Sequence, residues 1–314
     1  MSTLLSRSSL LLCITLGLGS STAALGAEAK AKPAETKAKA PQLKGTMTKS
    51  EPKTTAPRLS AEQIVKKHVT ARGGQQAWQA VQALSVSGKM DAGTGDSVSR
   101  SLAVVHDSGP RKLRHEPGAG ASKEAAGKQV QLPFRLAKER PNRSRLEIEV
   151  AGKTAVQVYD GQNGWKVRPY KNRNDVEPFT SQEMEAEAGS PGLDGLLIGY
   201  QAKGTKVETE GVERVEGREA YKLKVTTKSG IVRRVWVDAK SFLDVKVEGT
   251  PRRMDGKMRT VWVTQRDFRS VKGLMVPFVL ETAVDGYAET HKMIIDKVAL
   301  NPQLSDARFV KPGT

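Results

Sequence analysis

Residues 130 to 150 read Val-Gln-Leu-Pro-Phe-Arg-Leu-Ala-Lys-Glu-Arg-Pro-Asn-Arg-Ser-Arg-Leu-Glu-Ile-Glu-Val. Val130, Leu132, Phe134 and Leu136 alternate with polar or small residues, and Leu146, Ile148 and Val150 alternate with Arg145, Glu147 and Glu149. Successive side chains of a strand point to opposite faces, so this is the pattern of half-buried antiparallel strands. Arg140 shares the parity of Val130 to Leu136. An unbroken strand therefore turns its guanidinium to the apolar side, where it needs acceptors. A helix C-terminus has carbonyls to offer. The alternative places Arg140 on the rim, paired with an acid such as Glu139 or Glu183. Pro133 argues for an edge or a bulge, because it has no amide donor.

The same period continues outward. Tyr221, Leu223 and Val225 alternate with Lys222, Lys224 and Thr226. Further strands are expected at Leu84 to Met90, Leu102 to His106, Ala155 to Asp160, Trp165 to Pro169, Ile231 to Asp238, Val245 to Glu248, Thr260 to Phe268, Pro277 to Val284 and Met293 to Leu300. Turns are signalled between them by Asp160-Gly161, Ser229-Gly230, Asp255-Gly256, Lys272-Gly273 and Asp285-Gly286. Strands in sequence-adjacent hairpins predict one large antiparallel sheet. Two helices precede it. Ser60 and Gln63 form a capping box, Ile64, Val65, His68 and Ala71 recur at helical spacing, and Gly73-Gly74 closes the turn. Gln75 to Gln82 then presents Ala77, Trp78 and Val81. One later segment breaks the strand pattern. Ser181 to Ala188 is a run of helix formers with an N-cap, and Leu193, Leu196, Leu197 and Tyr200 follow at helical spacing, so a helical pair resting on the sheet is expected.

The ends differ from this folded region. Residues 1 to 27 carry a single charge, Arg7, an apolar stretch from Leu10 to Leu18 and a small-residue tail, as a secretory signal peptide does. The run is too short for the roughly 20 residues of a membrane-spanning helix. The only cysteine, Cys13, follows Leu12 rather than a small residue, which argues against lipidation. Residues 28 to 58 are rich in Lys, Ala and Pro and poor in large apolar side chains, so a disordered tether is expected. The folded domain is then residues 59 to 314. Of 51 basic and 34 acidic residues in the chain of 314, it keeps 42 and 31, so its own charge is +11. The basic character is not confined to the tether.

No constellation for catalysis emerges. Loss of Cys13 with the signal peptide removes thiol chemistry, disulfides and zinc-cysteine sites. His68, His106, His115 and His291 have no metal spacing, and His68 reads as a helix-face residue. Gly152-Lys153-Thr154 lacks the first glycine of a phosphate loop, and Lys228-Ser229-Gly230 has no ordered Ser-x-x-Lys partner. No cofactor and no metal are expected. Export argues against a nucleic-acid partner and points the positive charge toward an anionic membrane surface.

Two motifs carry a family resemblance. Lys138 to Arg145 contains Arg140-Pro141-Asn142, and Val158 to Pro169 reads Val-Tyr-Asp-Gly-Gln-Asn-Gly-Trp-Lys-Val-Arg-Pro. They resemble the Arg-Pro-Asn strand and the Asp-Gly-x-x-x-Trp-x-x-x-Pro hairpin of the periplasmic lipoprotein-carrier, or LolA-like, family. Asp267 to Pro277 and Phe309 to Pro312 are similar to the broader outer-membrane lipoprotein-sorting group. The resemblance implies a sheet curved into an unclosed half-barrel with helices covering an apolar concave face. It implies a non-enzymatic periplasmic carrier that holds the acyl chains of a lipoprotein or a lipid, with receptors at the inner and outer membranes. In that reading Arg140 latches the lid. The groove is expected from Val130, Leu132, Phe134, Leu136, Leu146, Ile148, Val150, Trp165 and Val167, and the lid from Met184, Leu193, Leu196, Leu197 and Tyr200. Ser144 departs from the aromatic that the family carries there. The alternative is a non-enzymatic envelope sensor or scaffold that docks a protein partner or an anionic membrane through its basic face.

Overall fold

The alternating runs pair with their neighbours along the chain. In the computed structural model, residues 56–94, 129–171 and 173–313 are described. The expected signal peptide, nearly all of the expected tether and the expected strand from Leu102 to His106 lie outside them. Helices α1 (Ala61–Ala71) and α2 (Gln75–Gln79) lead into β1 (Ala83–Thr94). Then come β2 (Gln129–Glu139), β3 (Arg143–Val150), β4 (Lys153–Tyr159), β5 (Gly164–Arg168), β6 (Arg173–Pro178) and helix α3 (Ser181–Ala188). The second half contains β7 (Lys206–Val215), β8 (Arg218–Thr226), β9 (Val232–Asp238), β10 (Asp244–Glu248), β11 (Arg252–Met254) and β12 (Lys257–Arg259). It ends with β13 (Val261–Val271), β14 (Leu274–Val284) and β15 (Thr290–Leu300).

Thirteen strands form one sheet in the order β6-β5-β4-β3-β2-β1-β15-β14-β13-β10-β9-β8-β7, and β11 and β12 make a separate small hairpin. Every pairing is antiparallel, and β1 joins β15 at mid-sheet, so two meanders meet there. The edge strands β6 and β7 do not pair with each other. The sheet is a half-barrel that stays open.

Both edges lack the apolar alternation that marks the interior strands. β6 carries Arg173, Asp175 and Glu177, and β7 carries Lys206, Glu208, Glu210, Glu213 and Arg214. Neither is anticipated by an apolar pattern, because charge on an edge strand discourages a further strand from adding to it. Pro133 leaves the register intact: Leu132 faces Met90 and Phe134 faces Gly88 on either side of it. The β2–β3 ladder starts only at Phe134, so the proline stands where β2 has one partner strand. The one slip in the β1–β15 pairing falls between Ser87 and Gly88. A side chain at Gly88 would overlap the Ile294 carbonyl oxygen, so this bulge requires glycine.

The helices and the segment after α3 lie against the inner face. One core cluster joins Trp78 and Val81 to Val86, Phe134, Leu146, Ile148, Val276 and Ile295; a second joins Ile64, Val65 and Leu197 to Leu223, Val225, Val235 and Val237. The expected second lid helix does not form. Residues 193 to 204 are a chain of turns in which Gly195 and Gly199 have φ of +77° and +64°. Left-handed residues interrupt a right-handed helix. Leucine spacing there suggested a helix, but the glycines decide the backbone.

Candidate functional site

The inner face follows from the register. Val86 faces Leu136, Leu136 faces Leu146, Leu146 faces Gln157, and Gln157 faces Lys166, so these side chains share one side. Over the middle of this face lies a cavity of about 240 Å³. Its sheet wall includes Val86, Phe134 and Leu136 on one flank and Val235, Val247, Val263 and Val276 on the other. Leu193, Leu196 and Leu197 form the roof. An apolar void of about 150 Å³ already accommodates benzene.

The cavity is not wholly apolar. His68, Arg72, Asp244 and Gln265 also line it. Arg72 Nη1 donates to Asp244 Oδ1 at 2.8 Å, Arg72 Nε donates to the Met275 carbonyl at 3.0 Å, and Gln265 Nε2 reaches Asp244 Oδ2 at 3.3 Å. The Arg72 guanidinium stacks on the Trp78 ring, whose Nε1 donates to the Arg72 carbonyl at 2.8 Å. His68 Nδ1 lies 3.0 Å from the Phe242 carbonyl oxygen, which can only accept, so Nδ1 carries the proton. Burial lowers the His68 pKa despite the nearby Asp244 carboxylate. Burial alone would raise Asp244, but Arg72 and His68 outweigh it and hold the carboxyl below its ordinary range. Sequence spacing does not reveal this cluster, since 172 residues separate Arg72 from Asp244.

Arg140 ties the roof to the sheet. Its Nε donates to the Val81 carbonyl at 2.7 Å and its Nη2 to the Trp78 carbonyl at 3.1 Å, at the C-terminal end of α2. Nη2 also pairs with the Asp194 carboxylate, which is only 6% exposed and belongs to the roof. Lys203 lies 3.6 Å from the same carboxylate and donates to the Gly195 carbonyl at 3.0 Å. Burial lowers the Lys203 pKa against the pull of Asp194. The acceptors of Arg140 are thus α2 carbonyls and Asp194. Glu139 pairs instead with Arg143, and Glu183 with Lys166.

The expected groove residues divide into three groups. Phe134 and Leu136 line the cavity. Leu146, Ile148 and Val150 are buried in the cluster around Trp78, with Leu132 packed against it, and Val130 is half-buried at the start of β2. Trp165 and Val167 face the other way, since Val158 faces Trp165 and Val156 faces Val167. On β5 the inner positions belong to Gly164, Lys166 and Arg168. Lys166 donates to Glu183 at 2.6 Å and Arg168 pairs with Glu177, so two buried cations replace the expected apolar row.

The expected lid residues divide as well. Leu193, Leu196 and Leu197 roof the cavity, and Tyr200 packs on the cluster under α1. Met184 is half-buried on α3 and does not line the cavity. Helix α3 is instead anchored by polar contacts over β3 to β5: Ser144 Oγ lies 3.2 Å from Glu187, and Asn142 Nδ2 donates to the Glu187 carbonyl at 3.0 Å. Burial raises the Glu187 pKa, opposed by Lys138 and Ser144. The covering element is therefore the glycine-rich loop rather than the helix.

Fold and site together define an open antiparallel half-barrel with an apolar cavity under a pinned loop. No family model and no curated protein matches the sequence. Among solved structures, the chain is similar to a LolA superfamily protein from Nitrosomonas europaea, with 14% identity, 81% of this chain and 99% of that one covered, and a TM-score of 0.47. It is similar to a DUF1329 family protein from Desulfovibrio piger, with 13% identity, coverage of 80% and 97%, and a TM-score of 0.48. It is also similar to a domain described as an outer membrane lipoprotein-sorting protein from Vibrio parahaemolyticus, with 11% identity, coverage of 79% and 94%, and a TM-score of 0.47. No described helix is long and apolar enough to cross a membrane.

Proposed function

We propose that the protein is a non-enzymatic carrier that holds acyl chains, of a lipid or of a lipid-modified protein, in the cavity under the loop of residues 193 to 204. Export directed by residues 1 to 27 would place it in the periplasm. The observation that carries the reading is a preformed cavity of about 240 Å³ whose roof is pinned through Asp194 to Arg140. The energies are commensurate. A charge-assisted hydrogen bond contributes roughly 1.5–3 kcal/mol, and water exclusion stabilises an acyl chain by about 0.8 kcal/mol per methylene. Between two and four buried methylenes offset the loss of one such bond. A chain of ordinary length can therefore open the roof, and its departure lets the roof close.

Uptake of a fluorescent fatty acid by the delipidated full chain tests this. Saturable uptake is expected, and Val263→Trp, which fills the cavity, is expected to abolish it while the variant stays folded. Absence of uptake, or uptake that ignores Val263→Trp, contradicts the carrier.

A further inference from the structure

The inner face of β9 holds a cation that the cavity described above does not explain. Val225 faces Arg233, Leu223 faces Val235 and Tyr221 faces Val237, so Arg233 extends an apolar inner row. Its residue is 3% exposed. Among the described residues, neither Nη1 nor Nη2 of Arg233 has a hydrogen-bond acceptor. The nearby acids are used by the next residue on the opposite face. Arg234 Nε donates to Glu210 at 2.9 Å, and Glu248 accepts from the Arg234 amide at 3.0 Å.

A buried guanidinium without acceptors is costly, and apolar replacement of such a group is often neutral or stabilising. Burial lowers the Arg233 pKa to about 10, with only Glu248 opposing, so the group remains a cation at neutral pH. Its position is next to the cavity. Val235, the next inner residue in the row, lines the cavity wall, and so does Gly249 where the chain leaves β10, while Arg233 itself stands just outside the lining. The carboxylates that line the cavity, Asp194 and Asp244, are already paired with Arg140 and Arg72. Among the described residues, the carboxylates that line the cavity are thus committed elsewhere, and Arg233, set just behind the wall rather than in the lining, has Glu248 as the one opposite charge acting on it.

We propose that Arg233 binds the anionic head, a carboxylate or a phosphate, of an amphiphile whose hydrocarbon chain fills the cavity. The inference rests on the carrier reading and narrows it to free anionic amphiphiles, as opposed to neutral acyl groups attached to a protein.

Four probes test it on the delipidated full chain by calorimetric titration: laurate, dodecyl phosphate, dodecanol and inorganic phosphate. The two anionic amphiphiles are expected to bind about tenfold or more tighter than dodecanol, as a charge-assisted contact to a buried cation implies. Carboxylate and phosphate heads are told apart by which of the two binds more tightly. Arg233→Met is expected to remove the preference, leave dodecanol binding in place and raise the thermal midpoint of the empty protein. Arg233→Lys is expected to keep part of the preference. Equal binding of laurate and dodecanol by the native chain overturns the proposal while leaving the carrier intact. So does Arg233→Met that keeps the preference, or inorganic phosphate that binds as tightly as dodecyl phosphate. Failure of every amphiphile to bind sinks the carrier reading and this inference with it.

Discussion

Arg140 acts on two elements at once, satisfying the carbonyls of Trp78 and Val81 and meeting the roof carboxylate of Asp194. The two roles separate by mutation. Asp194→Asn removes the ionic link but leaves the α2 carbonyls paired. If that link exists only in the closed, empty state, its loss favours the occupied state, and fatty-acid affinity is expected to rise up to about tenfold. A fluorescence titration reads this, and unchanged or weaker binding argues against a latch. Arg140→Leu leaves the Asp194 charge buried and several acceptors unmet, so a stability loss of about 3–5 kcal/mol is expected in urea unfolding. The direction of Arg140 was legible from parity with Phe134 and Leu136. Its acceptors were not, because Asp194 becomes its neighbour only when the chain folds across 54 residues.

Two buried groups at the cavity, His68 and Asp244, make stability depend on pH. His68 has a lowered pKa when folded, so between that value and 6.5 the unfolded chain binds more protons, and stability falls as pH drops through this window. Asp244 is also lowered, and its contribution is lost below about 3.8, as pH falls through the folded value. Glu187 is raised, so over the window just above 4.5 it favours the folded state as pH falls and partly offsets the other two. Urea midpoints are expected to decline from pH 7.5 to pH 5.5, and His68→Gln is expected to flatten that decline. A midpoint independent of pH over this range would remove His68 from the account.

At the level of elements, interior strands were legible and edges were not. β2, β3 and β8 bury one face, and the period of two follows directly. β6 and β7 have no apolar face to announce them. Within β5 the apolar residues Trp165 and Val167 predict an inward row, whereas the inner row is Gly164, Lys166 and Arg168, each cation held by a glutamate. Pattern alone treats a buried ion pair as an exposed one. Substitution distinguishes the faces. Phe134→Ala, at a residue 3% exposed, is expected to cost about 3–5 kcal/mol and to weaken uptake. Trp165→Ala is expected to leave uptake unchanged. The roof differs for a related reason: the leucine period predicts a helix, but Gly195 and Gly199 take the backbone into turns. Because φ is positive at both, Gly199→Ala is expected to destabilise the roof by about 1 kcal/mol, visible as faster proteolysis at residues 193 to 204.

At the level of the whole molecule, a sheet of thirteen strands, too wide to fill its own inner face, borrows three short helices and a loop to cover it. The covering is uneven. Helix α3 is fastened by polar contacts over β3 to β5, while the loop beside it spans a void and depends on Asp194 for its ionic hold. A void of this kind has a use only if something enters it. The most direct measurement is lipid extraction and mass spectrometry of the full chain purified from cell envelope without detergent. The account predicts an acyl species in near-equal amount to the protein, lost when Val263→Trp fills the cavity. Native protein free of any acyl species, and unable to take up fatty acid afterwards, would contradict it.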